Sequence, residues 1–108
     1  MTTRSSLLAV GIMIATRMQE DIYVSPPAVV TIVKSCMLAT NVPSDNVQLY
    51  VRHGSGVTVL IFSHSFAAGG TPFEWLPWFV LEPNSVLVLS ASAGQVHFYV
   101  SGAQLPVP

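Results

Sequence analysis

From Ile22 onward, the apolar positions of the chain follow the two-residue period of β-strands. No segment after residue 22 keeps a helical period of 3.6 residues through three turns. Clusters of proline, glycine, asparagine and serine interrupt the pattern at short intervals, as they do in β-sandwiches and barrels. We predict about seven strands: Asp21–Val24, Val29–Ala39, Val47–Arg52, Val57–Phe62, Phe73–Val80, Val86–Leu89 and Val96–Val100.

Two of these strands have patterns that also predict their position. Val29–Ala39 is the longest and is apolar on both faces, so we expect it at the centre of a sheet. Val47–Arg52 alternates between apolar and polar residues, and the glycine-rich turn 53–56 connects it to Val57–Phe62 as a hairpin. We expect Val86–Leu89 and Val96–Val100 to form a second hairpin in the same way.

The segment Leu7–Ala15 is apolar and follows Arg4, as in the hydrophobic region of a signal peptide. It is too short to cross a bilayer, which takes about 20 apolar residues, so no membrane contact is predicted. Residues 16–21 lack a small-x-small cleavage site. We interpret 1–20 as a buried strand or an N-terminal arm that packs on a neighbour, 21–102 as the sandwich and 103–108 as a C-terminal tail.

A chain of 108 residues has room for one core, and the predicted fold is a single all-β, antiparallel β-sandwich, jelly-roll-like or immunoglobulin-like, with an N-terminal arm. Only 8% of its residues are charged, against roughly 25% in an ordinary soluble domain. Four Lys and Arg and five Asp and Glu side chains cannot cover such a surface. Because extended exposed apolar areas mark contact surfaces, we expect a homo-oligomer, with a trimer as the specific expectation.

The ionisable residues argue against several other functions. The net charge is −1 and there is no basic run, so nucleic-acid binding is not expected. Cys36 is the single cysteine, lies within an apolar run and is expected to be buried and inert. His53, His64 and His97 have no metal-ligand spacing, and no serine lies in a G-x-S-x-G elbow. We predict no enzyme activity and no catalytic, cofactor-binding or metal-ligating residue.

The segment 73–79 is the most distinctive, because it contains four aromatic residues in seven positions. Strand alternation places Phe73, Trp75, Pro77 and Phe79 on one face and Glu74, Leu76, Trp78 and Val80 on the other. Either both tryptophans lie in the core, or one face exposes an indole of the kind enriched at interface hot spots. The candidate interface residues are Leu76, Trp78, Trp75, Leu8 and Ile12.

Five segments carry a resemblance to a known group of proteins. They are Ile22–Pro27, Val30–Ser35, Leu81–Ser85, Ser90–Ala93 and Val96–Gly102. In this order they resemble small β-sandwich virion proteins of tailed bacteriophages, which include minor tail or tail-tip accessory proteins and capsid decoration proteins. The likeness covers about residues 22–102. Pro26-Pro27-Ala28 departs from the Pro-Ala-Gly of that pattern, and Pro83-Asn84 stands where Pro-Gly or Ala-Gly is common.

The resemblance implies a non-enzymatic bacteriophage structural protein, a minor tail or baseplate accessory subunit that contacts itself and other virion proteins. Its location would be the virion, assembled in the host cytoplasm. The alternative within this class is a capsid decoration (cement) protein. The alternative from another class is a carbohydrate- or receptor-binding module, in which Trp78 and Trp75 would stack on a host glycan near Glu74 and the turn 53–56.

Overall fold

Two antiparallel sheets pack against each other in the computed structural model, which confirms the predicted β-sandwich. The structure describes residues 4–14, 19–42, 44–66, 72–75, 78–91 and 95–107. Within these ranges it contains nine strands: β1 (Arg4–Ile14), β2 (Gln19–Val24), β3 (Val29–Thr40), β4 (Ser44–Arg52), β5 (Thr58–Phe66), β6 (Phe73–Trp75), β7 (Phe79–Leu81), β8 (Val86–Ala91) and β9 (Gln95–Pro106). No helix in these ranges is long and apolar enough to cross a membrane.

The strands pair in a nested order. Sheet A has the order β1-β9-β3, with β6 and β7 both paired to the far side of β3, and sheet B has the order β2-β8-β4-β5. The first strand pairs with the last, β1 with β9. Each following pair lies inside the previous one along the chain: β2 with β8, then β3 with β6 and β7, and finally β4 with β5. The chain is therefore one long antiparallel ribbon, rolled so that β3 also pairs with β9 and β4 with β8.

The centre of each sheet supplies the core. The largest fully buried side chains include Leu38, Val96 and Val100 of sheet A and Leu49 and Leu89 of sheet B. β3 lies between β9 and the short strands β6 and β7, as expected from its two apolar faces. The predicted hairpin of β4 and β5 is also confirmed, since the two strands pair on either side of the turn 53–56.

The second predicted hairpin is wrong, because β8 and β9 lie in different sheets. All four residues of Val86–Leu89 are buried, and β8 obtains this burial between β2 and β4 in the middle of sheet B. β9 alternates instead, with Phe98 and Val100 buried and Tyr99 exposed, in the middle of sheet A. A turn signal shows where the chain reverses, but not whether the next strand joins the same sheet.

The two chain ends lie together in sheet A. β1, in the segment interpreted as a strand or arm, pairs with β9 from Arg4↔Gln104 to Ile14↔Gln95. β9 continues to Pro106, so residues 103–106 belong to a strand and not to the predicted C-terminal tail. The pairing register shifts between Leu7 and Ala9 on one side of β9 and between Val33 and Ser35 on the other. Both bulges flank Gly102 of β9, which pairs with residues on either side.

Cys36 is fully buried, as expected, and burial raises the pKa of its thiol from 9.0 to about 12. The thiol of the unfolded chain therefore ionises at a lower pH than that of the folded protein. Its contribution to stability is fully present below pH 9 and is lost as the pH rises toward 12. From pH 8 to pH 10 we expect the free energy of unfolding to fall by about 1.4 kcal/mol more in the wild type than in Cys36→Ala. Urea unfolding at the two pH values checks this, and equal pH dependences would contradict it.

Candidate functional site

The aromatic segment lies at one edge of sheet A, where β6 and β7 pair with β3. Its described residues alternate as predicted. Phe73, Trp75 and Phe79 are half-buried and pack against the core, whereas Glu74, Trp78 and Val80 are exposed. Leu76 and Pro77 lie outside the described residues. The proline-containing segment is thus peripheral, as expected from the rule that proline is tolerated at sheet edges.

The inward-facing rings close the gap between the two sheets. They meet three rings of β5, the edge strand of sheet B, and together form an aromatic edge cluster of Phe62, His64, Phe66, Phe73, Trp75 and Phe79. The ring centroids of Trp75 and Phe62 are 4.4 Å apart, and those of His64 and Phe73 are 3.9 Å apart in a stacked arrangement. His64 is therefore a packing residue. Sequence reasoning missed this role, although the spacing of Phe62, His64 and Phe66 by two residues was the available signal.

Trp78 has a different environment from Trp75. Its side chain is 64% exposed, and its backbone has a φ of 49°, in the left-handed region. The ammonium nitrogen of Lys34 lies 5.1 Å from the indole centroid, within cation–π range. Trp75, in contrast, is stacked on Phe62. The two indoles consequently do not form the shared stacking platform that the carbohydrate-binding alternative requires.

An open apolar surface lies on the outer side of sheet A. The pairing register aligns Val10, Tyr99 and Met37 in one row across three strands, and Ile12, His97 and Ala39 in the next. We call these six residues the outer apolar face. The exposed fractions are 62% for Val10, 52% for Ile12, 47% for Tyr99 and 40% for Met37.

A shallow groove of about 310 Å³ runs over this face. Besides the six residues of the face, Gly11, Leu38, Pro72 and Phe98 line the groove. Among the groove's lining residues, His97 is the only ionisable side chain apart from the phenol of Tyr99. Glu74 marks the border of the face, since it is paired with Met37 and its carboxylate accepts a hydrogen bond from Ser35 Oγ at 3.4 Å. The surface is suited to contact with another apolar surface.

The structure places the candidate interface residues in different settings. Ile12 belongs to the outer apolar face, and Trp78 is exposed at the edge of the same sheet. Leu8 is half-buried and packs against the core, and Trp75 lies in the aromatic edge cluster. Of the six residues of the face, the candidates include only Ile12. Sequence reasoning missed the other five: Val10, Tyr99, Met37, His97 and Ala39.

Two further side-chain contacts connect neighbouring strands and turns. Arg52 Nη2 lies 2.7 Å from Asp21 Oδ2, and His53 Nε2 lies 2.6 Å from Glu82 Oε2, with all four side chains partly exposed. The Arg52–Asp21 ion pair connects β4 to β2, and the His53–Glu82 contact connects the turn after β4 to the turn before β8. In the described part of the chain, no three His, Cys, Asp or Glu side chains lie close enough together to hold a metal ion.

No protein-family model matches the sequence, and no curated protein is significantly similar to it. Solved structures do share the fold. The Bacillus endospore appendages, described as disulfide-linked pili, match with a TM-score of 0.55 and 13% identity over 99% of this chain and 88% of theirs. The core of Drosophila NLP, described in terms of pentamer formation and histone binding, matches with a TM-score of 0.53 and 14% identity over 93% of this chain and 99% of its own.

A protein of infectious bursal disease virus, Gx strain, also matches, over 95% of this chain and 31% of its own, with 10% identity and a TM-score of 0.48. The first two matches, at 13% and 14% identity, show a shared fold and nothing about function. The resemblance to tailed-bacteriophage virion proteins remains a prediction.

Proposed function

We propose that this protein is a non-enzymatic structural subunit of a bacteriophage virion, a minor tail or baseplate accessory protein that binds copies of itself and neighbouring subunits. The observation that carries the proposal is the outer apolar face. Four of its side chains, those of Val10, Ile12, Tyr99 and Met37, are 40–62% exposed. They lie in two neighbouring rows across β1, β9 and β3. Contiguous apolar surface of this kind is typical of protein interaction sites.

The composition supports this mode of action. The chain has only nine charged side chains. This low number fits a protein that acts through contacts, because charged residues are depleted at the cores of protein interfaces. Two of these charged side chains, Arg52 and Asp21, are paired with each other on sheet B, away from the face. A stable interface buries about 800 Å² per partner. Trp78, at the opposite edge of the same sheet from β1, adds an exposed indole of the kind that dominates binding energy at interfaces.

The topology is consistent with a particle subunit. We infer that the nested pairing of β1 with β9, β2 with β8, β3 with β6 and β7, and β4 with β5 makes this sandwich a jelly roll. Jelly rolls occur in viral capsid domains, and also in lectins and cupins. The fold therefore supports the proposal without choosing among these functions. The outer apolar face favours a function in protein–protein contact.

The test is the solution mass, measured by light scattering over a range of concentrations. We expect a defined oligomer for the wild type and a monomer for the double variant Met37→Glu, Tyr99→Glu, which places two charges in the middle of the face. Val59→Glu is the matched control, because Val59 is 54% exposed on β5 of sheet B. It should keep the wild-type mass. A wild type that stays monomeric at every concentration would overturn the proposal.

Cryo-electron microscopy of the particle then locates the subunit. Density on the tail or baseplate supports the proposed role, and density on the icosahedral shell supports the capsid decoration alternative instead. The carbohydrate-binding alternative is favoured by one observation, the 64% exposed indole of Trp78. A glycan array decides it, since binding that disappears in Trp78→Ala would establish a lectin and a blank array would exclude one.

A further inference from the structure

Each sheet has two edges, and the chain protects three of these four edges against pairing with another strand. β6 and β7 have three residues each and include Glu74. β2 carries Glu20 and Asp21 and has a register shift after Asp21. β5 has a register shift in its middle, where Ile61 has no opposite residue in β4. Short length, charges and bulges are the usual devices that prevent edge-to-edge association.

β1 is the unprotected edge. It has 11 residues, and among the described residues it pairs on one side only, with β9. From Ser5 to Ile14 it contains no charged residue and no proline. Its single bulge lies near its start, at Leu8, so that Ala9–Ile14 is regular. The backbone N–H and C=O groups on its free side can be satisfied by an extended strand, and a strand is the partner this edge fits.

We propose that the partner is a second copy of this chain, and that two β1 strands pair antiparallel about a two-fold axis at Gly11. The pairing joins two five-stranded sheets into one continuous sheet of ten strands. It rests on the proposed self-association. It uses the backbone edge of β1 together with Val10 and Ile12, the two residues of the outer apolar face that lie on β1, and does not use Met37 or Tyr99. The two faces then lie side by side on one surface.

The side chains around Gly11 are self-complementary in this register. Val10 lies opposite Ile12 of the partner subunit, and Ile12 lies opposite the partner's Val10. Both are β-branched and more than half exposed in the single chain, and β-branched pairs stabilise neighbouring strands. Gly11 adds no side chain at the axis, where a Cβ would lie 3.0 Å from Cζ of Phe98. A charged or polar partner strand would have to bury its side chains without ionic partners on this edge.

Cysteine cross-linking tests the pairing and its register. Val10→Cys and Ile12→Cys each place a thiol on β1, and the natural Cys36 is buried and does not interfere. Opposite residues in an antiparallel pair have Cβ atoms about 5 Å apart, whereas diagonal residues are about 7–8 Å apart. Since a disulfide needs Cα atoms within about 7 Å, mild oxidation should link a mixture of the two variants into dimers and link neither variant alone.

A second variant pair tests the edge without oxidation. Ile12→Lys places a charge on the pairing edge, and we expect it to lower the association constant at least tenfold. Val59→Lys, at a position 54% exposed on β5 of sheet B, is the matched control and should leave it unchanged.

The outcomes separate this inference from the proposed function. One outcome is that the wild type forms an oligomer, the Met37→Glu, Tyr99→Glu variant is monomeric, and the mixture of Val10→Cys and Ile12→Cys forms no disulfide. This outcome overturns the β1 pairing and leaves the proposed function intact. Disulfides within a single variant also overturn it, because they require a different register. A monomeric wild type overturns both.

Discussion

Gly102→Ala is expected to destabilise the folded state by at least about 3 kcal/mol, the upper part of the range for an overpacked core. A Cβ at this position would lie 1.9 Å from the carbonyl oxygen of Ile32 and 3.2 Å from Cδ1 of Leu8. Leucine can change rotamer, but the carbonyl oxygen belongs to the backbone of β3. The strain can be relieved only by separating β3 from β9, which form the longest pairing in the structure.

Urea unfolding followed by circular dichroism measures the effect. Gly54→Ala is the matched control, because a Cβ at Gly54 would meet Asn84 Cβ at 3.6 Å, an ordinary contact. We expect its stability to stay within about 0.5 kcal/mol of the wild type, as for most surface substitutions. If both variants unfold at the wild-type urea concentration, the close approach of β3 to Gly102 is contradicted.

The close packing at Gly102 could not be predicted from the sequence. It follows from two bulges, at Leu8 of β1 and Lys34 of β3, on strands that flank β9. A bulge depends on how two strands are aligned, and both β1 and β3 are separated from β9 by more than 50 residues along the chain. Local patterns contain no information about such an alignment, and the pattern of apolar residues predicts a last strand that ends at Val100.

What could be predicted depended on local signals. The alternation in 73–80 correctly divided the aromatic residues between two faces, and the turn 53–56 correctly joined β4 to β5. In β1 the sequence is apolar at successive positions, so the pattern could not show which side chains face the core and which face outward. The exposed position of Val10 was therefore missed. The low charge count indicated that a contact surface exists, but its position depends on the register that brings Val10, Tyr99 and Met37 into one row.

Trp75→Ala and Trp78→Ala are expected to have opposite effects on stability and on assembly. Trp75 is half-buried against Phe62 at a centroid distance of 4.4 Å, and its loss opens the gap between the sheet edges. Truncating a fully buried aromatic side chain to alanine lowers the free energy of unfolding by about 3–5 kcal/mol. For the half-buried Trp75 we expect a loss of about 2–3 kcal/mol. Trp78 is 64% exposed, so its truncation should change stability by no more than about 1 kcal/mol, the scale of an exposed cation–π contact.

Assembly should show the reverse order. If Trp78 is an interface residue, as we propose, Trp78→Ala should raise the dissociation constant at least tenfold, since truncating a hot-spot residue costs about 2 kcal/mol or more. Trp75→Ala, compared under conditions where it remains folded, should associate as the wild type does. Urea unfolding and light scattering on the two variants measure both quantities. If Trp78→Ala lowers stability and leaves the mass of the oligomer unchanged, the indole stabilises the folded chain and does not contact a partner, because a side chain buried in the core is not accessible to another subunit.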